Sequence, residues 1–298
     1  MAIFAIGHSF AQTKTDSVAN ISAVTDTTHM IKHHRHSFLD AGITFQNNDV
    51  YLGRKPANTL PYYIPAISYY HKSGFFASTS LDYLKNSSTS RVDLFTIEGG
   101  YLFTTGKYDG MANLSKYFYN TQSTNLTSAI KTSIAYQNGY DLGFIKPSLT
   151  LTLNISNKVD YEGRLELSHT FSLFHDNLDL TPTVAATGST LHYYDYYRQR
   201  IYKIKKKKKV VGTGTADVTT SVIDASTFRL MDYEPSLPIE YTLGKCTFSF
   251  TPTYAIPVNP ATINAHSIRD NGQIIDNTHT EKIAGSFFFT LGVNILFR

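Results

Sequence analysis

The residues best placed to do chemistry stand in one short run. Glu162, Arg164 and Glu166 alternate with Gly163, Leu165 and Leu167. On an extended strand, side chains two residues apart leave the same face, so the three form a column with steps of about 7 Å. A guanidinium between two carboxylates can close a salt-bridge network. Alternatively, the column can line a water-filled bore and set its charge preference. The same alternation puts Asp82, Glu98, Lys131 and Glu240 on the polar faces of their segments. Acids exceed bases in this set, and uncompensated acids need water. The expectation is a hydrated lumen with a weak preference for cations. A second cluster is basic: Arg198, Arg200, Lys203, Lys205, Lys206, Lys207, Lys208 and Lys209. It reads as an external basic loop, first as a solvated loop with no partner and next as one that attracts the phosphates of lipopolysaccharide or polysaccharide. The formal net charge of +4 is too small to mark a nucleic-acid protein, so nucleic acid is not among the expected partners.

Enzymatic constellations are weak. Ser168 and His169 are neighbours in a strand pattern, so they face opposite sides and cannot pair directly. His192 lies near a strand end, where Ser189 or Ser226 could approach it. The sequence has no nucleophile elbow, zinc-protease helix motif, phosphate loop or dinucleotide fingerprint. Gly212-Thr213-Gly214 is a lone glycine pair in a Thr-rich stretch. His29, His33, His34 and His36 could offer imidazoles to a metal. No carboxylate or thiol joins them, and Lys32 and Arg35 interrupt them, so a solvated basic segment is the better account. With one cysteine, Cys246, there is no disulfide framework and no Cys-cluster zinc site. The expectation is a non-enzyme with no metal and no cofactor.

The elements that position these residues show a period of two. Leu149, Leu151, Leu153 and Ile155 oppose Thr150, Thr152, Asn154 and Ser156. Leu165 and Leu167 continue the greasy face on the next segment. At the C-terminus Phe287, Phe289, Leu291, Val293, Ile295 and Phe297 share one side. Many such segments run for about 11–16 residues, against a usual strand of about 5–6. Long strands with one apolar and one Ser/Thr/Asn face suit a barrel in lipid, where closure satisfies every backbone group. Twelve segments are expected: 38–46, 62–70, 75–84, 92–104, 108–119, 126–136, 142–155, 160–174, 178–194, 226–243, 246–258 and 283–297. No long amphipathic helix pattern is seen.

Their links alternate. Tight, Gly- and Asn-bearing turns fall at 71–74, 105–107, 137–140, 175–177 and 244–245. Longer links fall at 47–61, 85–91, 120–125, 195–225 and 259–282, and Ser156-Asn157-Lys158 is the one short exception. Short turns on one side and long loops on the other are the pattern of an outer-membrane barrel, and they put both chain ends on the turn side. Tyr62, Tyr63, Tyr69, Tyr70, Tyr117, Tyr119, Tyr193, Tyr194, Tyr196 and Tyr197 cluster at strand ends, as interfacial girdles do. The fold class is therefore all-β: a transmembrane, antiparallel, up-and-down β-barrel of about 12 strands. Residues 1–11 read as a residual signal peptide, with Ser9 and Ala11 preceding a cleavage site. Residues 12–36 read as a polar periplasmic linker and 37–298 as the barrel.

Gly285–Phe297 resembles the C-terminal β-signal of outer-membrane barrels, an amphipathic strand with an aromatic near its end, although Arg298 follows Phe297 here. The resemblance implies recognition by the barrel-assembly machinery. The segments Asp49–Arg54, Tyr69–Phe76 and Thr251–Pro257 resemble uncharacterised outer-membrane barrels of the Bacteroidota type. That resemblance covers about residues 37–298 and implies an architecture and a place, the bacterial outer membrane, rather than an activity. Membrane lipid and lipopolysaccharide are the partners it implies. Two functions remain: a porin-like channel for small solutes, and a structural or surface-interaction barrel with a blocked lumen. A lipid-modifying barrel enzyme is a third and weaker reading.

Overall fold

The computed structural model describes residues 36–87, 89–208, 217–268 and 274–297. The proposed signal peptide, His29, His33, His34, Lys209, Gly212–Gly214 and Arg298 lie outside them. The strands are β1 (Phe38–Gln46), β2 (Tyr62–Tyr70), β3 (Phe75–Lys85), β4 (Ser90–Thr105), β5 (Tyr108–Tyr119), β6 (Thr132–Tyr140), β7 (Lys146–Ile155), β8 (Val159–Ser168), β9 (Phe171–Leu173), β10 (Leu178–Leu180) and β11 (Thr183–Ser189). Helix α1 (His192–Lys208) follows. Then come β12 (Asp217–Val222), β13 (Arg229–Ser236), β14 (Ile239–Leu243), β15 (Cys246–Pro257), β16 (Thr262–Ile268), β17 (Ile274–Thr280) and β18 (Ser286–Phe297).

Twelve barrel strands result, because β8/β9, β10/β11 and β13/β14 are each one strand with a break. Each break is bonded to the next strand: His169 N donates to Pro182 O at 3.3 Å, Thr181 N to Pro238 O at 2.9 Å and Leu237 N to Pro252 O at 3.1 Å. Two of the breaks contain a proline, which has no N–H to give a ladder. All pairings are antiparallel. The barrel closes where β1 pairs with β18, from Leu39↔Phe297 to Gln46↔Thr290, and where β15 pairs with β13, β14 and β18. β12, β16 and β17 form a separate three-stranded sheet within the long connections.

The turn end carries the links 71–74, 106–107, 141–145, 174–177 and 244–245. Gly106 and Gly244 take φ of +61° and +63° in two-residue turns, a conformation that only glycine adopts without strain. The loop end carries 47–61, 86–89, 120–131, 156–158, 190–228 and 258–285. Three expectations move. The sixth strand is 132–140 rather than 126–136, because Asn120, Ser123 and Asn125 fold residues 120–131 into hydrogen-bonded turns. Gln137–Tyr140 is strand, and the turn sits at 141–145, with Gly143 N bonded to Asp141 Oδ1. The ninth strand stops at Ser189, and α1 begins three residues later.

The two faces separate as the period of two requires. Leu151, Leu153, Leu165, Leu167 and Leu291 point outward and are exposed, Leu165 at 63%. Leu149, Ile155, Phe289 and Val293 share their outward rows. Exposed outward rings form two bands. Tyr69, Phe75, Tyr101, Tyr140, Phe171 and Phe297 lie toward the turn end; Tyr63, Phe118, Tyr161, Tyr233, Tyr254 and Phe287 lie toward the loop end. From Phe297 to Phe287 is ten residue steps. At about 3.4 Å per residue and about 40° of tilt the rise is about 26 Å, the height of an apolar membrane band. Of the tyrosines expected in girdles, Tyr63 and Tyr69 are there. Tyr62, Tyr70 and Tyr117 instead face the interior and are buried, as are Tyr193, Tyr194 and Tyr197 of α1.

Candidate functional site: a polar lumen with a plugged outer mouth

Twelve strands about 4.8 Å apart, tilted by about 40°, enclose a backbone cylinder about 24 Å across. That is wider than eight-stranded barrels, whose side chains fill the bore. Much of the inner wall carries short polar groups. Accessibility along it is graded. On β15, Thr247, Ser249 and Thr251 keep partial access to water, whereas Thr253 and Ala255, nearer the loop end, are buried. On β7, Ser148, Thr150 and Thr152 are half-buried, whereas Asn154 is fully buried. Water therefore reaches the inner wall at β7 and β15 from the turn end to about mid-height, whereas on β1–β5 the inner wall is buried even at the turn end, where Phe38, Tyr70, Phe76, Leu102 and Met111 pack together inside the barrel.

A hairpin closes it. Tyr51 and Arg54 exchange both backbone hydrogen bonds at 2.9 Å around Leu52 and Gly53, whose φ values are +49° and +71°. Positive φ is uncommon for leucine, so packing must hold this turn. It does: Tyr51 and Leu52 are 0% exposed. The hairpin springs from the β1–β2 link and reaches the far wall. Tyr51 Oη donates to Glu162 Oε2 on β8 at 2.7 Å, and Asn154 Nδ2 on β7 donates to both of those atoms. A Cβ on Gly53 would stand 2.7 Å from Pro257 Cβ and 3.2 Å from Asp232 Cβ. Arg54 Nε donates to Glu281 Oε2 at 3.1 Å, and its guanidinium lies 5.3 Å from the centroid of the Tyr194 ring. Asp49 accepts from Leu126 N in the neighbouring loop.

Helix α1 roofs the hairpin. Asp160 of β8 caps its N-terminus, accepting from His192 N and Tyr193 N, both at 2.6 Å, and from Thr190 Oγ1 at 2.7 Å. These are amides a helix cannot satisfy itself. Tyr193, Tyr194, Tyr197 and Ile201 fall on one side at helical spacing and pack over Tyr51, Leu52, Leu126 and Ile130. Burial raises the Tyr194 hydroxyl, and the Glu281 charge raises it further, so it stays protonated and donates to Glu281. The helix went unseen in the sequence because tyrosines suit strands and girdles as well as helix faces. The tertiary cap from Asp160 is also invisible to local pattern.

The expected site residues divide. Asp82, Glu98, Glu162, Arg164, Glu166 and Glu240 stand on inward-facing rows. Lys131 does not sit in mid-lumen: it precedes β6 at the loop-end rim, is exposed, and donates to Asn157 Oδ1 at 2.9 Å. Arg164 does not bridge its two strand neighbours equally. Its Nη1 reaches Glu234 Oε2 on β13 at 2.8 Å and Thr187 Oγ1 on β11 at 3.2 Å, while Nη2 lies 3.5 Å from Glu166. Glu234, Asp232 and Asp40 were missed, although Asp232 and Glu234 share the even parity of Glu240. At the turn end Lys146 Nζ lies 3.1 Å from the Asp109 carboxylate. The basic run is helical rather than a loop as far as Lys208. Arg198 is half-buried, and Arg200 donates to the Asn120 and Ser123 carbonyls. Side chains from Lys203 to Lys208 are outside the described set.

The serine–histidine pairs do not assemble a nucleophile. His169 packs edge-on against Phe171, Ser168 Oγ lies near Lys146 O, and Ser189 Oγ donates to Thr190 O. His192 Nδ1 is 3.1 Å from Asp160 Oδ1, in the helix cap. Among the described residues no cluster of three His, Cys, Asp or Glu could hold a metal.

No family model matches the chain, and no curated protein matches it. Solved structures similar to it include a KdgM porin (10% identity, 88% of this chain and 99% of that one, TM-score 0.42). A NanC porin is similar at 8% identity (86% and 98%, TM-score 0.45), and OccK8 (OprE) of Pseudomonas aeruginosa at 9% (88% and 97%, TM-score 0.30).

Proposed function

We propose that this chain is a bacterial outer-membrane channel for small solutes, not an enzyme, with its outer mouth held shut by the Tyr51–Arg54 hairpin. The observation that carries the reading is the reversed polarity of the barrel. Its outside is aliphatic and ringed by aromatic bands, while its inside is rich in Ser, Thr and acidic groups and is reached by water along β7 and β15 from the turn end to mid-height. Acids inside, including Asp40, Asp82, Glu98, Asp232 and Glu234, outnumber the bases Arg164 and Lys146. Such a wall favours cations over anions. Both chain ends then lie in the periplasm, β18 serves the barrel-assembly machinery, and the Bacteroidota-type resemblance gives the kind of outer membrane.

One observation favours the blocked, structural reading: the hairpin spans the bore and is wholly buried. Single-channel recording in planar bilayers separates the two. The wild type should conduct little. A variant with Tyr51→Ala and Arg54→Ala, which releases both anchors, should open more often, with a reversal potential displaced toward cations in a salt gradient. No conductance from either protein, with both barrels folded, would leave the structural reading in place.

A further inference from the structure

We propose that the seat of the Tyr51–Arg54 hairpin is a binding site for an arginine-bearing peptide arriving at the outer mouth, and that the hairpin is the internal ligand this peptide displaces. The proposal rests on the reading of the hairpin as a removable plug. It names the class of solute that removes it.

The receiving groups are held in place without the hairpin. Glu281 accepts from Ala261 N at 3.1 Å and from the Tyr194 hydroxyl, so the approach to β16 and the roof helix together fix its carboxylate. Arg54 Nε donates to the same Oε2 at 3.1 Å, with its guanidinium 5.3 Å from the Tyr194 ring centroid. A carboxylate beside an aromatic face is a guanidinium receptor: one supplies the counter-charge, the other the cation–π contact. Across the bore, Asn154 Nδ2 donates to Glu162 Oε2 at 3.1 Å and orients the oxygen that accepts from the Tyr51 hydroxyl. The Tyr51 ring meets the Tyr193 ring edge-on, with centroids 5.0 Å apart. The hairpin's backbone bonds to itself, because Tyr51 and Arg54 pair in both directions. Recognition therefore lies in side chains, which a separate peptide with the same spacing can present.

The hairpin fits this seat incompletely. Arg54 Nη2 is buried and has no hydrogen-bond partner. Asp232 is 0% exposed and stands against the hairpin tip, where a Cβ on Gly53 would lie 3.2 Å from Asp232 Cβ; neither of its carboxylate oxygens has a hydrogen-bond partner. A buried carboxylate without a donor is costly, so the seat is built for more positive charge than the hairpin brings. The charges of Glu162, Glu234 and Arg164 all reach Asp232, and that of Arg198 reaches Tyr194. Without its occupant the seat therefore sets Glu162, Asp232, Glu234 and Glu281 against two guanidiniums, and it is net negative. Glu281 is its partly exposed edge at the loop end, where an arginine arriving from outside meets it first.

The test uses the Tyr51→Ala/Arg54→Ala barrel, which has lost both anchoring side chains, and the acetylated, amidated tetrapeptide Tyr-Leu-Gly-Arg as the probe. Calorimetry in detergent should show saturable binding at one site. The citrulline analogue keeps the shape and loses the charge. It should bind at least about thirtyfold more weakly, as when one partner of a buried charged pair is removed. Glu281→Gln added to this barrel should remove most of that preference, and Asp232→Asn should narrow it. Far-UV circular dichroism confirms that each variant is folded. A second readout uses the wild type: the arginine peptide should speed hydrogen exchange at the Tyr51 and Arg54 amides, and the citrulline peptide should not. Equal binding of the two peptides, a preference unaltered by Glu281→Gln, or exchange in the wild type that the arginine peptide leaves unchanged would overturn the proposal. Conduction is read separately: the arginine peptide on the loop side should reduce the current through the Tyr51→Ala/Arg54→Ala barrel. If that barrel binds the arginine peptide in preference to the citrulline one but passes no current, the channel reading fails while the binding site stands.

Discussion

Replacing Arg164 with alanine should destabilise the barrel by about 3 kcal/mol. The guanidinium is 3% exposed and the Glu234 carboxylate 1%, with 2.8 Å between Nη1 and Oε2. Removing one partner of a pair this deep leaves a charge with neither water nor counter-ion, at a cost of about 3–5 kcal/mol. The second contact, to Glu166 at 3.5 Å, is longer and its acid is partly hydrated, so it adds less than about 1 kcal/mol. The lower end of the range is expected because Glu166 and the β7 wall beside the pair are partly hydrated, so water has a short path to Glu234 once the guanidinium is gone. Urea unfolding of the liposome-folded barrel, followed by far-UV circular dichroism because the chain has no tryptophan, measures the loss. If the uncompensated charge is the cause, Arg164→Ala should cost at least about 1.5 kcal/mol less in a Glu234→Gln background, where the carboxylate that the guanidinium holds most closely is gone. The same variant should move the reversal potential further toward cations. A loss below about 1 kcal/mol, or one that is the same in both backgrounds, would refute the reasoning and show Arg164 to be solvated by lumen water.

Other outcomes follow from the same geometry. Leu151→Arg puts a charge on the lipid face and should cost about 2–4 kcal/mol, whereas Thr152→Arg, on the inner face, should fold nearly normally; equal tolerance would mean the faces are assigned wrongly. Gly53→Ala combines φ of +71° with a Cβ 2.7 Å from Pro257 Cβ, so it should unseat the hairpin and raise open probability in bilayer recordings. Asp160→Ala removes the cap of α1 and should cost about 1–2 kcal/mol of local stability. Hydrogen exchange at the His192 and Tyr193 amides would register it, and unchanged protection would show that the cap does not hold the helix.

The sequence by itself determined which way each strand faces and how many strands there are. Alternation is a local property: Leu149 to Ile155 fixes its own in and out, and the turn glycines at 106 and 244 fix where the chain reverses. The inward column Glu162–Arg164–Glu166 was legible for the same reason. What Arg164 binds was not, because Glu234 lies 70 residues away and comes within its reach only when β8 and β13 pair with opposite edges of β11. The plug was also hidden. Asp49–Arg54 looks like any polar-aromatic loop until the barrel closes and its far wall offers Glu162, Asn154 and Pro257. The same closure lets Asp160 cap α1, turning tyrosines that suited a girdle into the roof over the hairpin. A strand's period is written in neighbouring residues, but the contents of a barrel's mouth depend on contacts that exist only once β1 has met β18.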